Sequence, residues 1–172
     1  VSGSISAPNG LNLVTYRGGT TLWCEVCTSN GNSMSTNTMS KVAVTSNGVM
    51  NPPYNECIYM GDNYWLVAFR RTGGGPVSAR TVQFNGSGLT MGTEQWVESG
   101  GHDGTCVGIC RVSNTRAVAF FRPVSGSYNS HLVYSILDFS GSGSSRTFSR
   151  TAKASLDTAY LTTSKPKAIV TN

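Results

Sequence analysis

Charge is scarce in this chain: only 12% of its 172 residues are charged, with eight acidic side chains and two histidines. No apolar run comes near the roughly 18 residues that a membrane-crossing helix requires, so no membrane insertion is expected. A dense basic run is missing too. The thirteen basic residues give a formal charge of +5 and a pI near 9.1. They are dispersed, however, and Lys41, Arg80, Arg111, Arg146, Arg150, Lys153, Lys165 and Lys167 read as solvated strand faces and turns. Nucleic acid is therefore not the expected partner. Catalytic signatures are equally thin. His102 stands beside Asp103, His131 lies in a strand-like run over residues 130–139, and neither accompanies a nucleophile elbow. A glycan-cleaving enzyme would need two facing carboxylates, which leaves Glu56 with Asp103 or Asp157 as the enzymatic alternative. The chain opens Val1-Ser2-Gly3-Ser4 without an initiator methionine or a basic leader, which reads as a mature, secreted, extracellular protein. Asn85-Gly86-Ser87 adds a glycosylation sequon on an expected turn.

What the chain has in quantity is glycine, twenty of them, and hydroxyl and β-branched residues ordered by a repeat. The phrase Leu13-Val14-Thr15-Tyr16-Arg17 returns as Leu66-Val67-Ala68-Phe69-Arg70-Arg71, as Ala117-Val118-Ala119-Phe120-Phe121-Arg122, and in clipped form as Ala168-Ile169-Val170-Thr171. Val14, Val67, Val118 and Ile169 recur at intervals of about 50 residues, a period that belongs to repeat architectures. After each full phrase comes a glycine turn, then a strand-like run, then a second turn at Asn30-Gly31, Asn85-Gly86-Ser87-Gly88 or Ser140-Gly141-Ser142-Gly143. Ahead of the phrase lie the apolar stretches Cys57-Ile58-Tyr59-Met60, Cys106-Val107-Gly108-Ile109-Cys110 and Ala159-Tyr160-Leu161. Each unit thus offers about four short strands, a to d, with the phrase as strand b.

The expected fold is all-β: one domain of three tandem units of about 50 residues, each about four antiparallel strands, in a β-propeller-like arrangement. A β-trefoil or a β-sandwich is the alternative. The units span residues 11–56, 57–105 and 106–158, with terminal strands in 159–172. On this reading the chain begins and ends on strand b, and the surplus strand pairs with another unit or with a partner chain.

Five cysteines in a secreted chain point first to disulfides, with one thiol left over and a covalent dimer as a consequence. Cys57 and Cys106 hold equivalent places on their a strands, which brings them near each other if those strands are central. Cys24 and Cys27 are three residues apart and point to opposite faces of a strand. A zinc site from Cys24, Cys27, Cys106, Cys110 and His102 is the alternative, although zinc ligand pairs usually sit on tight turns and these lie within a strand.

Strand alternation sorts the turns into two ends. One end collects Gly61-Asp62-Asn63, Ser113-Asn114-Thr115, Ser164-Lys165-Pro166 and the Asn-Gly or Ser-Gly hairpins, all ordinary turn formers. The other collects Arg17, Arg71 and Arg122 with the longer connections that carry Tyr54, Asn55, Glu56, His102, Asp103 and Asp157. Several of the few acidic residues therefore stand at one end, where a functional surface is expected. Carboxylates and glycine-loop carbonyls are hard oxygen ligands of the kind calcium takes, which makes Glu56, Asp103 and Asp157 the candidate metal ligands. Arg71, Arg122 and Asn55 give directed hydrogen bonds to sugar hydroxyls, and Tyr54 or Trp96 offers an aromatic face to a pyranose. Each has a plainer role as well: the arginines as covers of strand ends, Asp103 as a turn former, Trp96 as a core residue of a half-buried strand.

The phrase with its trailing glycine turn resembles the Leu-Val-x-Tyr-Arg-x-Gly strand of β-propeller-type repeats in secreted and surface adhesion proteins. With its mass of 18.2 kDa, its cysteines and its hydroxyl-rich composition, the chain also resembles the small calcium-dependent galactose-binding lectins of sea anemones and similar marine invertebrates. That resemblance implies recognition of terminal galactose through a calcium ion, a homodimer that crosslinks glycans, and no catalysis. The site it implies falls among Asn55, Glu56, His102, Asp103 and Asp157. The rival readings are a non-lectin adhesin or structural fibre module and the glycan-cleaving enzyme.

Overall fold

Short runs of alternating apolar residues, punctuated by glycine and asparagine turns, build three antiparallel sheets. The structure is a computed structural model and describes residues 3–6, 10–29, 34–45, 55–71, 76–97, 104–123, 131–152 and 154–156. The first sheet is formed in chain order by β1 (Gly3–Ser6), β2 (Leu11–Gly18), β3 (Thr21–Ser29) and β4 (Met34–Thr45). The second consists of β5 (Asn55–Gly61), β6 (Tyr64–Arg70), β7 (Val77–Phe84) and β8 (Leu89–Met91), with the two-residue β9 (Gln95–Trp96) also on β7. The third consists of β10 (Gly104–Ser113), β11 (Arg116–Pro123), β12 (Val133–Ser140) and β13 (Thr147–Arg150), with β14 (Ala154–Ser155) on β12. Each sheet is the a-b-c-d meander expected from the repeat. Among the described residues only the turn at Gly143–Ser145 is helical, a single 3-10 turn. Among the described residues no helix is long and apolar enough to cross a membrane.

The first sheet starts at Gly3, not at Leu11: β1 pairs with β2 through Ser4↔Val14 and Ile5↔Leu13. The chain therefore opens on strand a, so the expectation that it begins on strand b gives way. Gly3-Ser4-Ile5-Ser6 holds one apolar residue, too little contrast for a period of two to show. The expected terminal strands in 159–172 lie outside the described residues.

The second sheet is central and both of its faces are covered. Trp65, Val67, Phe69, Cys57, Val82 and Phe84 pack with Leu13, Leu22, Cys24, Val26 and Val44 of the first sheet. On the opposite face Tyr64, Leu66, Ala68, Val77, Ala79 and Val97 pack with Ile109, Ala117, Ala119, Phe121, Val133, Leu137, Phe139 and Phe148 of the third. Every residue of β6 is consequently buried, which explains why the strand runs without a polar break from Trp65 to Phe69. Each such large side chain contributes roughly 1.5–3 kcal/mol when fully withdrawn from water.

Polar clasps lock the sheets together at their outer strands. Arg80 donates from Nε to the Gly92 carbonyl at 2.6 Å and from a terminal nitrogen to the Val44 carbonyl of the first sheet at 2.8 Å. The Gln95 amide donates to the Phe148 carbonyl at 3.0 Å and accepts from the Phe148 N–H at 2.8 Å, copying the pairing of a strand neighbour. The Arg146 guanidinium lies 4.1 Å from the centre of the Tyr64 ring, whose hydroxyl accepts the Gly143 N–H at 2.7 Å. The hairpin between β5 and β6 turns on Gly61, Asp62 and Asn63, all at positive φ. A two-residue turn with φ > 0 at both positions matches the twist of the strands it joins.

The innermost strands adjoin: β5 lies against both β1 and β10. The first and third sheets occupy opposite faces of the second, and no barrel or ring closes among the described strands. The β-trefoil alternative, which requires a barrel, is not what these strands form.

Candidate functional site

Antiparallel pairing fixes which residues reach each end. The turn at Gly61–Tyr64, the turn at 113–116 and the outer hairpins meet at one end, tied by Phe84 N–H to Asn63 carbonyl at 3.0 Å and Phe139 N–H to Thr115 carbonyl at 2.8 Å. Strands β2, β6 and β11 run away from it and finish at the other end, on Arg17-Gly18, on Arg70, and on Arg122-Pro123. Strand β5 starts there, and so does β7.

Register shows which arginines correspond. The closing pairs of the two equivalent hairpins are Gly61↔Tyr64 and Ser113↔Arg116, so Tyr64 matches Arg116 and, counting along the strands, Leu66 matches Val118 and Arg70 matches Arg122. In the first sheet the face turned to the second carries Leu11 and Leu13, and therefore, two and four residues on, Thr15 and Arg17. The true repeat position is thus Arg17, Arg70 and Arg122, with the Nε atom of each buried. Val118 is one residue out of phase with Val67, whose counterpart is Ala119. Arg70 was missed as a candidate because Arg71 follows it directly.

Arg71 itself forms an ion pair across the second sheet, its Nε 2.9 Å and a terminal nitrogen 2.7 Å from Glu94 Oε1. Two residues on from Glu94, Trp96 is 46% exposed. Its expected place in the core is corrected: Gln95 and Val97 take the inward positions, against Phe148 and in the apolar cluster. Trp96 points outward between them, and its carbonyl accepts from Arg150 at 3.0 Å. Trp96 pairs through its backbone with Ser78 at the start of β7, so it stands at the end that carries the arginines.

Asn55 is buried, and its amide donates to Thr15 Oγ1 of the first sheet at 3.4 Å. This side chain, expected to meet ligand, holds β5 against β2 beneath the end surface. Glu56, next in the strand, is half-buried. Arg122 is half-buried at the end of β11. Tyr54, His102, Asp103 and Asp157 lie outside the described residues. Of the expected calcium ligands only Glu56 is described, and among the described residues no three His, Cys, Asp or Glu side chains group as metal ligands would.

Cys24, Cys27, Cys57 and Cys110 are joined by no disulfide, so the expected disulfide framework does not form among them. The Cys106 side chain lies outside the described residues. As expected, Cys24 and Cys27 take opposite faces of β3: Cys24 pairs with Thr15 and enters the core, Cys27 pairs with Asn12. Burial pushes the Cys24 thiol up to about 12, helped by Cys57 across the interface and opposed by Arg80. Burial also raises Cys27 and Cys110. Cys57 thus has Cys24 as its thiol neighbour in the first core. Thiols held protonated in this way are poor nucleophiles and poor metal ligands.

No known protein family matches the chain, and no curated protein does so either.

Proposed function

We propose that this chain is a secreted carbohydrate-recognition module, a lectin that binds terminal galactose through a calcium ion and crosslinks glycans as a homodimer without catalysis. Its three sheets act as successive blades of a propeller-like arrangement, and the sugar sits at the end where the arginines and the long connections gather. The observation that carries this reading is Trp96, a large aromatic side chain 46% exposed, two residues along the chain from the ion-paired Glu94. An indole face stacks on the apolar side of a pyranose while charged neighbours bond its hydroxyls. Glu56, Asp103 and Asp157 supply the calcium oxygens, with Tyr54, His102, Arg71 and Arg122 around the sugar. Asn55 braces this end from below.

The repeated Arg17, Arg70 and Arg122 favour a second reading, an acidic sugar held by guanidinium groups without calcium. Guanidinium forks match carboxylates and sulfates in pairs of charge-assisted bonds. A glycan array with and without a calcium chelator separates the two. Galactoside binding that the chelator abolishes supports the first, and chelator-resistant binding to acidic glycans, weakened in Arg122→Ala, supports the second. Trp96→Ala should lower affinity at least about tenfold in either case, with circular dichroism and the melting temperature checking that the variant is folded. An array without glycan binding rejects both.

A further inference from the structure

The two interfaces inside the chain follow one rule. In each, a face of one sheet built from strand-b positions equivalent to Leu66 and Ala68 meets a face of the next sheet built from positions equivalent to Trp65, Val67 and Phe69. Leu13 of the first sheet thus faces the second, and Leu66 of the second faces Ala117, Ala119 and Phe121 of the third. Applying the register beyond these interfaces identifies two further faces of the same kinds. The third sheet's outward face carries Val118 and Phe120, equivalent to Leu66 and Ala68, flanked by their cross-strand partners Cys110, Ile136 and Tyr134. All five are half-buried, and Val112 beyond them on β10 is 55% exposed. The first sheet's outward face carries Val14 and Tyr16, equivalent to Val67 and Phe69, with Trp23, Ala43 and Glu25 across the strands, the Glu25 carboxylate accepting from the Tyr16 hydroxyl at 3.5 Å. These too are half-buried. No described strand lies substantially against either face.

We infer that the third sheet's outward face docks on the first sheet's outward face of a second copy of this chain, so that two chains form a closed ring of six sheets. A second copy is the fitting occupant because the contact would repeat the chemistry of the two interfaces already present, an apolar strand-b face against its own complementary partner. Closure, as opposed to an open stack, follows from the wedge shape. Contacts between sheets are concentrated at the inner strands, where β5 touches both β1 and β10, and thin out at the outer strands, where β4 and the Gly143–Ser145 turn meet β8. Sheets that touch at their inner edges fan outward and curve round. With two chains, a two-fold axis relates both copies of this contact, third sheet on first and first on third, which is the commonest form of closed symmetry. The inference rests on sheet register and stands apart from the sugar reading. Under it the ligand ends of both chains lie on the same side of one ring.

The test is the mass of the full chain by light scattering or sedimentation equilibrium, for the parent protein and for Phe120→Asp and Val14→Asp. The parent should show twice the 18.2 kDa of one chain. Each variant alone should be monomeric, because both of the ring's equivalent contacts then lose one of their two faces. An equimolar mixture of the two variants should recover a one-to-one complex, because one intact contact remains between an unaltered third sheet and an unaltered first sheet. Circular dichroism checks that both fold. Should either variant misfold, Phe120→Ala and Val14→Ala, which leave the interior clusters untouched, should raise the dimer dissociation constant at least tenfold. A monomeric parent at the highest soluble concentration overturns the inference, and means that these faces are covered within the chain or by another protein. A variant that still dimerises alone overturns it in favour of face-to-face pairing. Open-ended polymers overturn the ring.

Discussion

Replacing Gln95 with alanine should weaken the joint between the second and third sheets more than its partly buried position suggests. The amide makes two backbone hydrogen bonds to Phe148, at 2.8 and 3.0 Å, across a sequence separation of 53 residues. Both partner groups belong to Phe148 of β13, which pairs with Phe139 of β12. Without Gln95 its N–H and carbonyl on the side of β9 must find water in a half-buried seam. A net value of about 1 kcal/mol per bond gives a loss of about 2 kcal/mol, less whatever water restores. For a chain of this size that corresponds to a fall in Tm of roughly 4–8 °C. The assay is thermal and urea unfolding, paired with amide exchange at Phe148, whose protection should fall along with that of Arg150 while β2 and β3 keep theirs. Gln95→Glu sharpens the test. The introduced carboxylate still accepts from the Phe148 N–H but faces the Phe148 carbonyl with negative charge. That proximity raises the carboxyl's folded-state pKa above its unfolded value. Its contribution is therefore fully present below the unfolded pKa and lost as pH rises through the folded one, so this variant should approach the parent only in acid. A Tm change under 1 °C in Gln95→Ala, at full Phe148 protection, would refute the reasoning that side-chain pairing joins these sheets.

Three further outcomes are expected. Leu66→Ala and Val67→Ala, adjacent in sequence, should each cost about 1–4 kcal/mol, yet the first should loosen amide protection in β11 and β12 and the second in β2 and β3; identical exchange patterns would contradict the two-faced second sheet. The Cys24 thiol is raised from the ordinary 9.0 to about 12, so the folded state holds its proton more tightly than the unfolded state does. Its contribution is complete below pH 9 and declines between about pH 9 and 12, and the urea midpoint of the parent should fall more steeply over that window than that of Cys24→Ala. Gly61 has φ +99, and a Cβ there would sit 2.6 Å from the Asn114 side chain; Gly61→Ala should destabilise by about 1–3 kcal/mol in chemical denaturation, and Asn114→Ala should restore part of that loss.

The sequence made the architecture legible because strand b is a strong signal repeated three times. The succession of strands b and c in each sheet and the sorting of turns into two ends follow from period and punctuation. The short elements were hidden for a different reason. Strand β1 has a single apolar residue and β9 has two residues in all, so neither presents a pattern on which alternation acts. Asn55 illustrates a further limit. Its position ahead of strand a suggested the surface, but the hydroxyl of Thr15, 40 residues away, draws it inward, and no local pattern reports a partner so distant.

The remaining differences share one physical origin, the phase of a strand as opposed to its period. Alternation reports that neighbours point to opposite faces, and says which face is inside only when one set is polar. Around Trp96 the apolar residues include both the exposed indole and the buried Val97, while the polar Gln95 goes inward because its amide has backbone to pair with. In β6 both faces are covered, so every position tolerates an apolar side chain and the contrast that would mark the phase vanishes. That is why Val67 and Val118 align by identity but not by face, and why Arg71 stood in for Arg70. The closing pairs of the hairpins restore the phase, since they count residues from a turn and not from hydrophobicity. Once restored, it places Arg17, Arg70 and Arg122 at one register and aligns Leu66 and Ala68 with Val118 and Phe120. The same one-residue correction therefore decides both which guanidinium groups stand at the end where β2, β6 and β11 finish and which apolar face the third sheet turns outward.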